Sequence, residues 1–412
     1  MLVHWIWLST REHMNALQKY RVLQAFSDPE DAYNAEETAC RQVEGLSEKA
    51  VKSLLDKDLG KAQKILRQCA NKHISICTIQ DALYPHRLKQ IFDPPLVLYY
   101  KGYLPEMDSE VTIGTVGTRK ASLYGLNTAH RLGYQIAACG GIVVSGVAKG
   151  IDAMAMKGAL LAGGTVVGVL GGGVDVVYPR ENRSLFEAAV QNGCLISEYP
   201  PGEPARGWHF PIRNRIISGL SAGVLVVEAP EGSGSLITAR DALKENRDIF
   251  CVPGKVDDPG FAGSNALLHE GATLVRDGWD VMSQYEFRYP GKVHPMQSAI
   301  TPECAEEEMP KVAQKSASPK NAGVFGKKSE KITVDNKTQP PYSDIEEILP
   351  KLSETQQSIV KLLTREKLVD EIIGETGLSA ATVSTELTML QLQGIITMLP
   401  GNRVARKETR RK

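Results

Sequence analysis

The chain lacks a net charge of either sign, because its 48 lysines and arginines balance its 48 aspartates and glutamates. A global field that draws the protein to nucleic acid or to an anionic membrane is therefore excluded. Any surface that binds nucleic acid has to be a local patch. At 412 residues the chain exceeds what one hydrophobic core usually supports, so two or three domains are expected.

Metal-binding and membrane-spanning patterns are also lacking. The seven cysteines are scattered, with no Cys-x-x-Cys pair and no Cys/His spacing, so we expect reduced, mostly buried thiols in a cytoplasmic protein and no bound metal. The apolar run at residues 2–8 is too short to span a bilayer and follows no basic segment. We therefore expect no signal peptide and no membrane anchor.

Motifs of several common enzyme classes are missing. There is no Gly-x-x-x-x-Gly-Lys-Ser/Thr loop and no strand-borne Gly-x-Gly-x-x-Gly with a downstream acid, so neither ATP hydrolysis nor dinucleotide binding is supported. No Gly-x-Ser-x-Gly stretch leads from a predicted strand into a helix, and no His-Glu-x-x-His occurs. We therefore expect no catalytic residues and no cofactor.

The hydrophobic pattern changes along the chain and predicts three domains. Residues 1–75 show helical spacing, with a glycine turn before a capped helix at 43–51, typical of a small helical domain of the SAM or helix-hairpin-helix kind. Residues 76–287 predict an extended Rossmann-like domain, a doubly wound and mostly parallel sheet with helices on both faces. Residues 288–345 have the composition of a flexible linker. Three short helices and a hairpin within residues 346–412 are typical of a winged helix.

The strands of the sheet are predicted from short, nearly continuous runs of Val, Ile and Leu. They are residues 111–116, 141–145, 166–170, 194–197, 223–228, 248–252 and 273–275. Ligands of open α/β sheets bind beyond the carboxyl ends of the strands. The turns that follow these runs are therefore the candidate binding segments.

Three of these turns carry residues suited to phosphate. Glycine lets backbone amides approach an anion, a helix N-terminus attracts it, and arginine supplies a planar fork of donors. The candidates are Gly117, Thr118 and Arg119 in the first turn, Ser145, Gly146 and Lys149 in the second, and Ser233, Gly234 and Ser235 in the third. Glycine turns and hydroxyls also serve packing and capping, and a helix cap is the favoured interpretation of Asp152.

A fourth segment, residues 206–215, places three aromatic rings among three arginines. Rings that stack on bases beside cations that hold phosphates are typical of proteins that bind single-stranded nucleic acid. Phe210 and Arg206 are the candidates here. A structural role stays open for Phe210 as a loop anchor, and for Arg213 and Arg215 as members of buried ion pairs.

These motifs occur in the order found in one family. They include Val116-Gly-Thr-Arg119, Val144-Ser-Gly-Val-Ala-Lys-Gly-Ile-Asp152, Tyr178-Pro179, Phe210-Pro-Ile-Arg-Asn-Arg215, Ser233-Gly-Ser-Leu-Ile-Thr-Ala239 and Val252-Pro-Gly254. Over residues 78–277 the chain closely resembles the DNA processing protein A (DprA/Smf) family, and the flanking segments match the three-part layout of that family more loosely.

The resemblance implies a homodimer that binds single-stranded DNA through its Rossmann-like domain. It also implies that the protein protects incoming DNA and loads the recombinase RecA onto it during natural transformation. The resemblance assigns phosphate binding to Arg119 with Thr118, and the edge of the pocket to Ser145, Gly146 and Lys149. It assigns base stacking to Phe210 and a basic position to Arg206.

Two other interpretations stay open. A nucleotide-processing hydrolase also holds a 5′-phosphate in glycine-rich turns, with Glu198 or Glu228 as its acid, although Ala239 and Arg240 stand where that class places a carboxylate. A transcription regulator centred on the winged helix predicts sequence-specific binding to duplex DNA. The predicted recognition helix at 380–392 argues against it, because that helix has no basic residue to read base edges.

Overall fold

The computed structural model describes residues 2–296, 352–363, 366–392, 395–399 and 403–406. The chain divides into two compact units, Met1–Val312 and Ala313–Lys412. Most of the expected linker and the basic residues from 407 onward lie outside the described residues.

The first unit begins with a layer of short helices, as the sequence predicts. They are α1 (Leu2–Ser9), α2 (Ala16–Phe26), α3 (Pro29–Asn34), α4 (Glu37–Gln42), α5 (Glu48–Leu55) and α6 (Gly60–Asn71). Asn15 and Gln18 form a reciprocal capping box that starts α2. Trp7 of α1 is fully buried, and its indole N–H donates to the Asp56 carbonyl at 3.0 Å. This bond ties α1 to the end of α5.

A nine-stranded sheet forms the centre of the first unit. Its strands are β1 (Ser75–Thr78), β2 (Val97–Gly102), β3 (Thr112–Val116), β4 (Ile142–Ser145), β5 (Val166–Val169), β6 (Gly193–Ser197), β7 (Gly223–Val226), β8 (Asp248–Cys251) and β9 (Thr273–Leu274). Their order across the sheet is β1-β2-β6-β5-β4-β3-β7-β8-β9. The strands from β3 to β9 pair in parallel, while β2 is antiparallel to β1 and to β6. The predicted mostly parallel sheet is therefore confirmed, but β1 and β2 were not predicted.

Strand β3 is the point at which the winding of the sheet reverses. From β3 the chain builds β4, β5 and β6 on one side, and then returns to place β7 on the other side of β3. Val116 at the end of β3 pairs with Val226 at the end of β7. The carboxyl ends of two strands with diverging connections therefore lie side by side, which is where open α/β sheets bind ligands.

Two groups of helices pack against this sheet. The helices are α7 (His86–Lys89), α8 (Leu123–Ala138), α9 (Ile151–Leu161), α10 (Arg183–Gln191), α11 (His209–Leu220), α12 (Gly234–Lys244), α13 (Ala262–His269) and α14 (Gly278–Met282). One group contains α8, α9, α10 and α14, another contains α7, α11 and α12, and α13 packs separately against β8. Helices α8 and α9 approach closely because Gly133 and Gly158 have no side chain; a Cβ at Gly133 would strike the Ala155 carbonyl.

One continuous hydrophobic core joins the helical layer to the sheet. The packed chain also extends beyond residue 287, where we expected the linker to begin. Val293 is buried in the core, and Lys292 forms an ion pair with Glu110. The His294 N–H also donates to the Cys139 carbonyl at 3.2 Å, and Met296 packs against the core. The polar composition from residue 288 onward does not reveal these contacts.

The six described cysteines are free and buried, as the sequence predicts. Burial raises the pKa of the Cys69 thiol to about 11 and of the Cys77 thiol to about 12, which keeps both thiols protonated and unreactive at neutral pH. Within the described residues, no helix is long and apolar enough to cross a membrane.

The second unit is a winged helix, as the sequence predicts. Its elements are α15 (Glu354–Leu362), β10 (Lys367–Leu368), α16 (Val369–Thr376), α17 (Ala380–Leu392), β11 (Ile396–Leu399) and β12 (Arg403–Arg406). The strands form a small sheet in the order β10-β12-β11, so β11 and β12 are the two strands of the wing. Ile359, Ile372 and Leu390 are fully buried at the centre of the unit.

Candidate nucleic-acid interface

A cleft of about 650 Å³ lies at the switch point of the sheet. One wall is the turn after β3, which includes Gly117 and Arg119. The opposite wall is the turn after β7, which includes Ser233 and Ser235, and the amino-terminal part of α11 adds Phe210. The cleft therefore gathers the first, third and fourth of the predicted binding segments.

Arg119 is an exposed cation of this cleft. Its guanidinium lies over the Phe210 ring, 4.8 Å from the ring centroid, and it has no acidic partner among the described residues. A guanidinium stacked on a ring keeps its N–H edges free for phosphate oxygens. The turn beneath it is held in place, because the Thr118 N–H donates to the Glu228 carbonyl at 2.8 Å and Gly117 packs too closely on its neighbours to carry a Cβ.

Phe210 belongs to a stack of side chains at the mouth of the cleft. The ring is half-buried, and the Tyr178 ring stacks on it at a centroid distance of 5.5 Å and an interplanar angle of 30°. Tyr178 is 47% exposed and lines the cleft. Tyr178 was not predicted as a site residue from the sequence. Its position beside Pro179 in one of the family motifs could have indicated it.

The N-terminus of α12 faces the cleft with small and polar residues. The Ser233 hydroxyl accepts a hydrogen bond from the Ser235 N–H at 3.4 Å and lies 2.7 Å from the Ser235 hydroxyl. An added Cβ at Gly234 would meet nothing within 4 Å, so the backbone there is open to approach. A helix N-terminus carries partial positive charge and unpaired amides, which suit an anion. Asn214 ties this turn to α11 through a 3.2 Å hydrogen bond to the Gly234 carbonyl.

A smaller pocket of about 70 Å³ shares Arg119 and Phe210 with the cleft. Gly146 and Lys149 line this pocket, so the structure brings them beside Arg119. The Lys149 ammonium pairs with the Glu181 carboxylate at 2.6 Å, and both side chains are exposed. Exposed ion pairs contribute little free energy and exchange readily, so Lys149 stays accessible to a phosphate.

Two of the predicted site residues, Ser145 and Arg206, do not line either pocket. The Ser145 hydroxyl is fully buried and donates to the Thr115 carbonyl at 2.7 Å. It is therefore closed to a direct contact with a ligand, and its contribution is to the sheet. Arg206 is exposed and pairs with Glu203 at 3.5 Å, while the residues on either side of it line the cleft.

Two buried residues of opposite charge, Arg213 and Asp152, also line the cleft. The Asp152 carboxylate accepts a hydrogen bond from the Gly146 N–H at 3.1 Å. The expected helix cap is therefore wrong, since α9 begins after Gly150 with no side-chain cap. Burial raises the pKa of Asp152, against the opposing charge of Arg213. Arg213 donates to the Val169 carbonyl, and burial lowers its pKa to about 10. Arg213 thus has a structural hydrogen bond and also lines the cleft.

Arg215 is also structural, and it engages one of the two acids that the hydrolase interpretation needs. Its guanidinium pairs with Asp93 at 3.0 Å and with Glu198 at 2.8 Å. The other acid, Glu228, is buried and accepts hydrogen bonds from the Ser122 N–H at 3.0 Å and the Ser122 hydroxyl at 2.7 Å. Both carboxylates thus have structural partners, which removes the specific support for that alternative.

Fold and cleft together define a class: a doubly wound, Rossmann-like α/β protein that has an exposed arginine and a helix N-terminus at its switch point and carries a winged helix. Within that class, the chain belongs to the DprA/Smf family of DNA-processing proteins. The profile of the family described as DNA recombination-mediator protein A matches residues 75–286, and that of the DprA winged helix domain matches residues 346–402.

Individual relatives agree with this assignment. Protein Smf of Synechocystis sp. is 33% identical over 410 residues, which cover 98% of each chain. DNA processing protein DprA of Bacillus subtilis is 40% identical over 235 residues, covering 57% of this chain and 79% of the relative. The crystal structure of DprA from Streptococcus pneumoniae superposes with a TM-score of 0.62 at 33% identity, covering 69% of this chain and 98% of that one.

Proposed function

We propose that the cleft at the switch point binds single-stranded DNA. The observation that carries this proposal is the stack of Arg119, Phe210 and Tyr178 opposite the N-terminus of α12. The stack offers aromatic faces to bases, and the arginine and the helix N-terminus offer donors to the phosphates between them.

The arrangement favours a single strand over a duplex. In a duplex the bases are stacked on one another inside the helix, so a recessed ring cannot reach their faces. A single strand can turn its bases outward into a cleft of this size and leave its backbone along the cations. We therefore expect binding with little sequence preference and strong dependence on salt.

Within this proposal, the protein acts as a recombination mediator and not as an enzyme. It protects incoming single-stranded DNA, forms a homodimer through its Rossmann-like domain and loads the recombinase RecA onto the strand during natural transformation in the cytoplasm. Membership of the family of recombination mediators supports this role. The role needs no cofactor, because binding and hand-over involve no chemical step.

Replacing Phe210 with alanine is expected to weaken single-strand binding about tenfold, or ~1.4 kcal/mol, with the salt dependence unchanged. Stacking is not ionic, so no counterion release is lost with the ring. The value is at the lower end for a stacked base because Tyr178 and Arg119 already cover part of the ring. Titration of a labelled single strand at several salt concentrations, followed by fluorescence anisotropy, measures both quantities.

The matched control is Phe210→Tyr, which keeps the ring and is expected to bind like the wild type. Circular dichroism spectra of the variants establish that the fold is intact. A folded Phe210→Ala variant with wild-type affinity would exclude Phe210 from the binding surface.

Mediator activity is testable with RecA itself. On single strands coated with a single-strand-binding protein, the wild-type chain is expected to shorten the lag before RecA begins to hydrolyse ATP. The lag measures this role because it is the time that RecA needs to load onto the coated strand. A variant that cannot hold the strand is expected to leave the lag unchanged. If the wild type binds single strands tightly but does not shorten the lag, the loading role is refuted and the binding role stands.

A further inference from the structure

Trp208 differs from the other tryptophans in its surroundings. Trp5 and Trp7 are buried in the core of the first unit, and Trp279 packs against that core. Trp208 is 60% exposed at the N-terminus of α11. Burial of a large aromatic ring is favourable, so a ring exposed at this position is available to stack on a ligand.

The exposed ring is presented on a fixed support. The neighbouring His209 is buried, and its Nδ1–H donates to the Gly171 carbonyl at 2.8 Å. His209 stacks on Tyr199 with centroids 4.0 Å apart, and the Trp208 ring stands nearly perpendicular to His209, also at 4.0 Å. The orientation of Trp208 therefore does not depend on a flexible loop.

The rim segment, which we define as Arg206 to Trp208, is continuous with the cleft. Gly207 lines the cleft, and an added Cβ at this position would meet nothing within 4 Å, so the backbone is open to an approaching ligand. Arg206 is 53% exposed, and its carboxylate partner Glu203 lies 3.5 Å away. A cation that is readily released from its pair thus stands beside an exposed ring.

We propose that the rim segment is a second stacking subsite, in which Trp208 stacks on a base of the strand as it leaves the cleft and Arg206 binds the adjoining phosphate. The inference rests on the proposed binding of single-stranded DNA, and it extends the binding surface beyond Phe210. Continuity with the cleft and the adjacent cation favour a nucleic-acid strand over an apolar protein surface as the occupant.

The test uses the purified full chain and an unlabelled oligothymidylate, with tryptophan fluorescence as the first readout. Thymine stacked on Trp208 quenches its emission, whereas the three packed tryptophans do not contact the strand. DNA-dependent quenching is therefore expected in the wild type and lost in Trp208→Ala. In anisotropy titrations, Trp208→Ala is expected to bind about tenfold more weakly with an unchanged salt slope, while Trp208→Phe keeps affinity within about twofold.

The matched control is Tyr103→Ala, which removes another aromatic ring that is 71% exposed. Tyr103 follows the last residue of β2, and that end of β2 pairs with the amino-terminal part of β6. That position lies at the edge of the sheet opposite the cleft, so wild-type binding is expected. A folded Trp208→Ala variant that binds like the wild type, or that changes only the oligomeric mass, overturns the rim proposal and leaves the cleft proposal standing. A wild type that does not bind single strands overturns both.

Discussion

Replacing Arg119 with alanine is expected to weaken single-strand binding by about 2 kcal/mol, roughly thirtyfold. The substitution removes a charged hydrogen-bond donor to phosphate and also uncovers Phe210, whose ring supports the guanidinium at 4.8 Å. Loss of one phosphate contact is also expected to lower the slope of log affinity against log salt by about 0.7. Anisotropy titrations over a range of salt concentrations give both values.

Two further variants separate the contributions of charge and shape. Arg119→Lys keeps the positive charge but loses the planar fork and the stacking, so the salt slope is expected to stay while part of the affinity is lost. Arg67→Ala removes an exposed arginine of α6 that does not line the cleft, and it is expected to change neither quantity. If the Arg119→Ala variant keeps the salt slope of the wild type, Arg119 does not contact a phosphate of the strand.

The second large effect is expected on stability, from Arg215→Ala. Arg215 is 7% exposed and pairs with Asp93 and Glu198. Removing the cation leaves carboxylates in a partly buried site without their partner, which costs about 3–5 kcal/mol of unfolding free energy. Because all four tryptophans lie in the first unit, urea denaturation followed by their fluorescence reports the unit that contains the site.

The control removes the charges together with the cation. In the triple variant Arg215→Met, Asp93→Asn and Glu198→Gln, no charge is left unpaired, so most of the loss is expected to be recovered. If the triple variant is less stable than Arg215→Ala, packing of the guanidinium matters more than its charge, and the explanation by unpaired carboxylates is wrong.

The parallel part of the sheet could be predicted from the sequence because its strands are buried on both faces. Runs such as residues 142–144 and 223–226 therefore contain no polar side chain and are easily recognised. The antiparallel strands β1 and β2 were missed because each carries polar or exposed positions, such as Ser75 and Lys101. The pairing of β2 with β6 joins residues far apart in the chain, which no local pattern shows.

The position of the candidate cleft could be predicted in part, because it follows from the parallel arrangement of the strands. Turns that follow parallel strands must meet at one edge of the sheet, so Arg119 and Ser233 were expected to lie near each other. The direction in which a side chain points could not be predicted. Ser145 is the last residue of β4 and Asp152 the second of α9, and both face inward to bond with backbone groups. Arg213 and Phe210 are three residues apart on one helix and both line the cleft, yet Arg213 is buried and Phe210 is half-buried.

The central claim is tested most directly by the binding of the full wild-type chain to a labelled mixed-sequence single strand and to the corresponding duplex. Both are titrated at a low and a high salt concentration, without nucleotide or metal, and followed by fluorescence anisotropy. Tighter binding to the single strand is expected, with an affinity that falls steeply as salt is added. A preference for the duplex, or failure to bind the single strand at low salt, would contradict it.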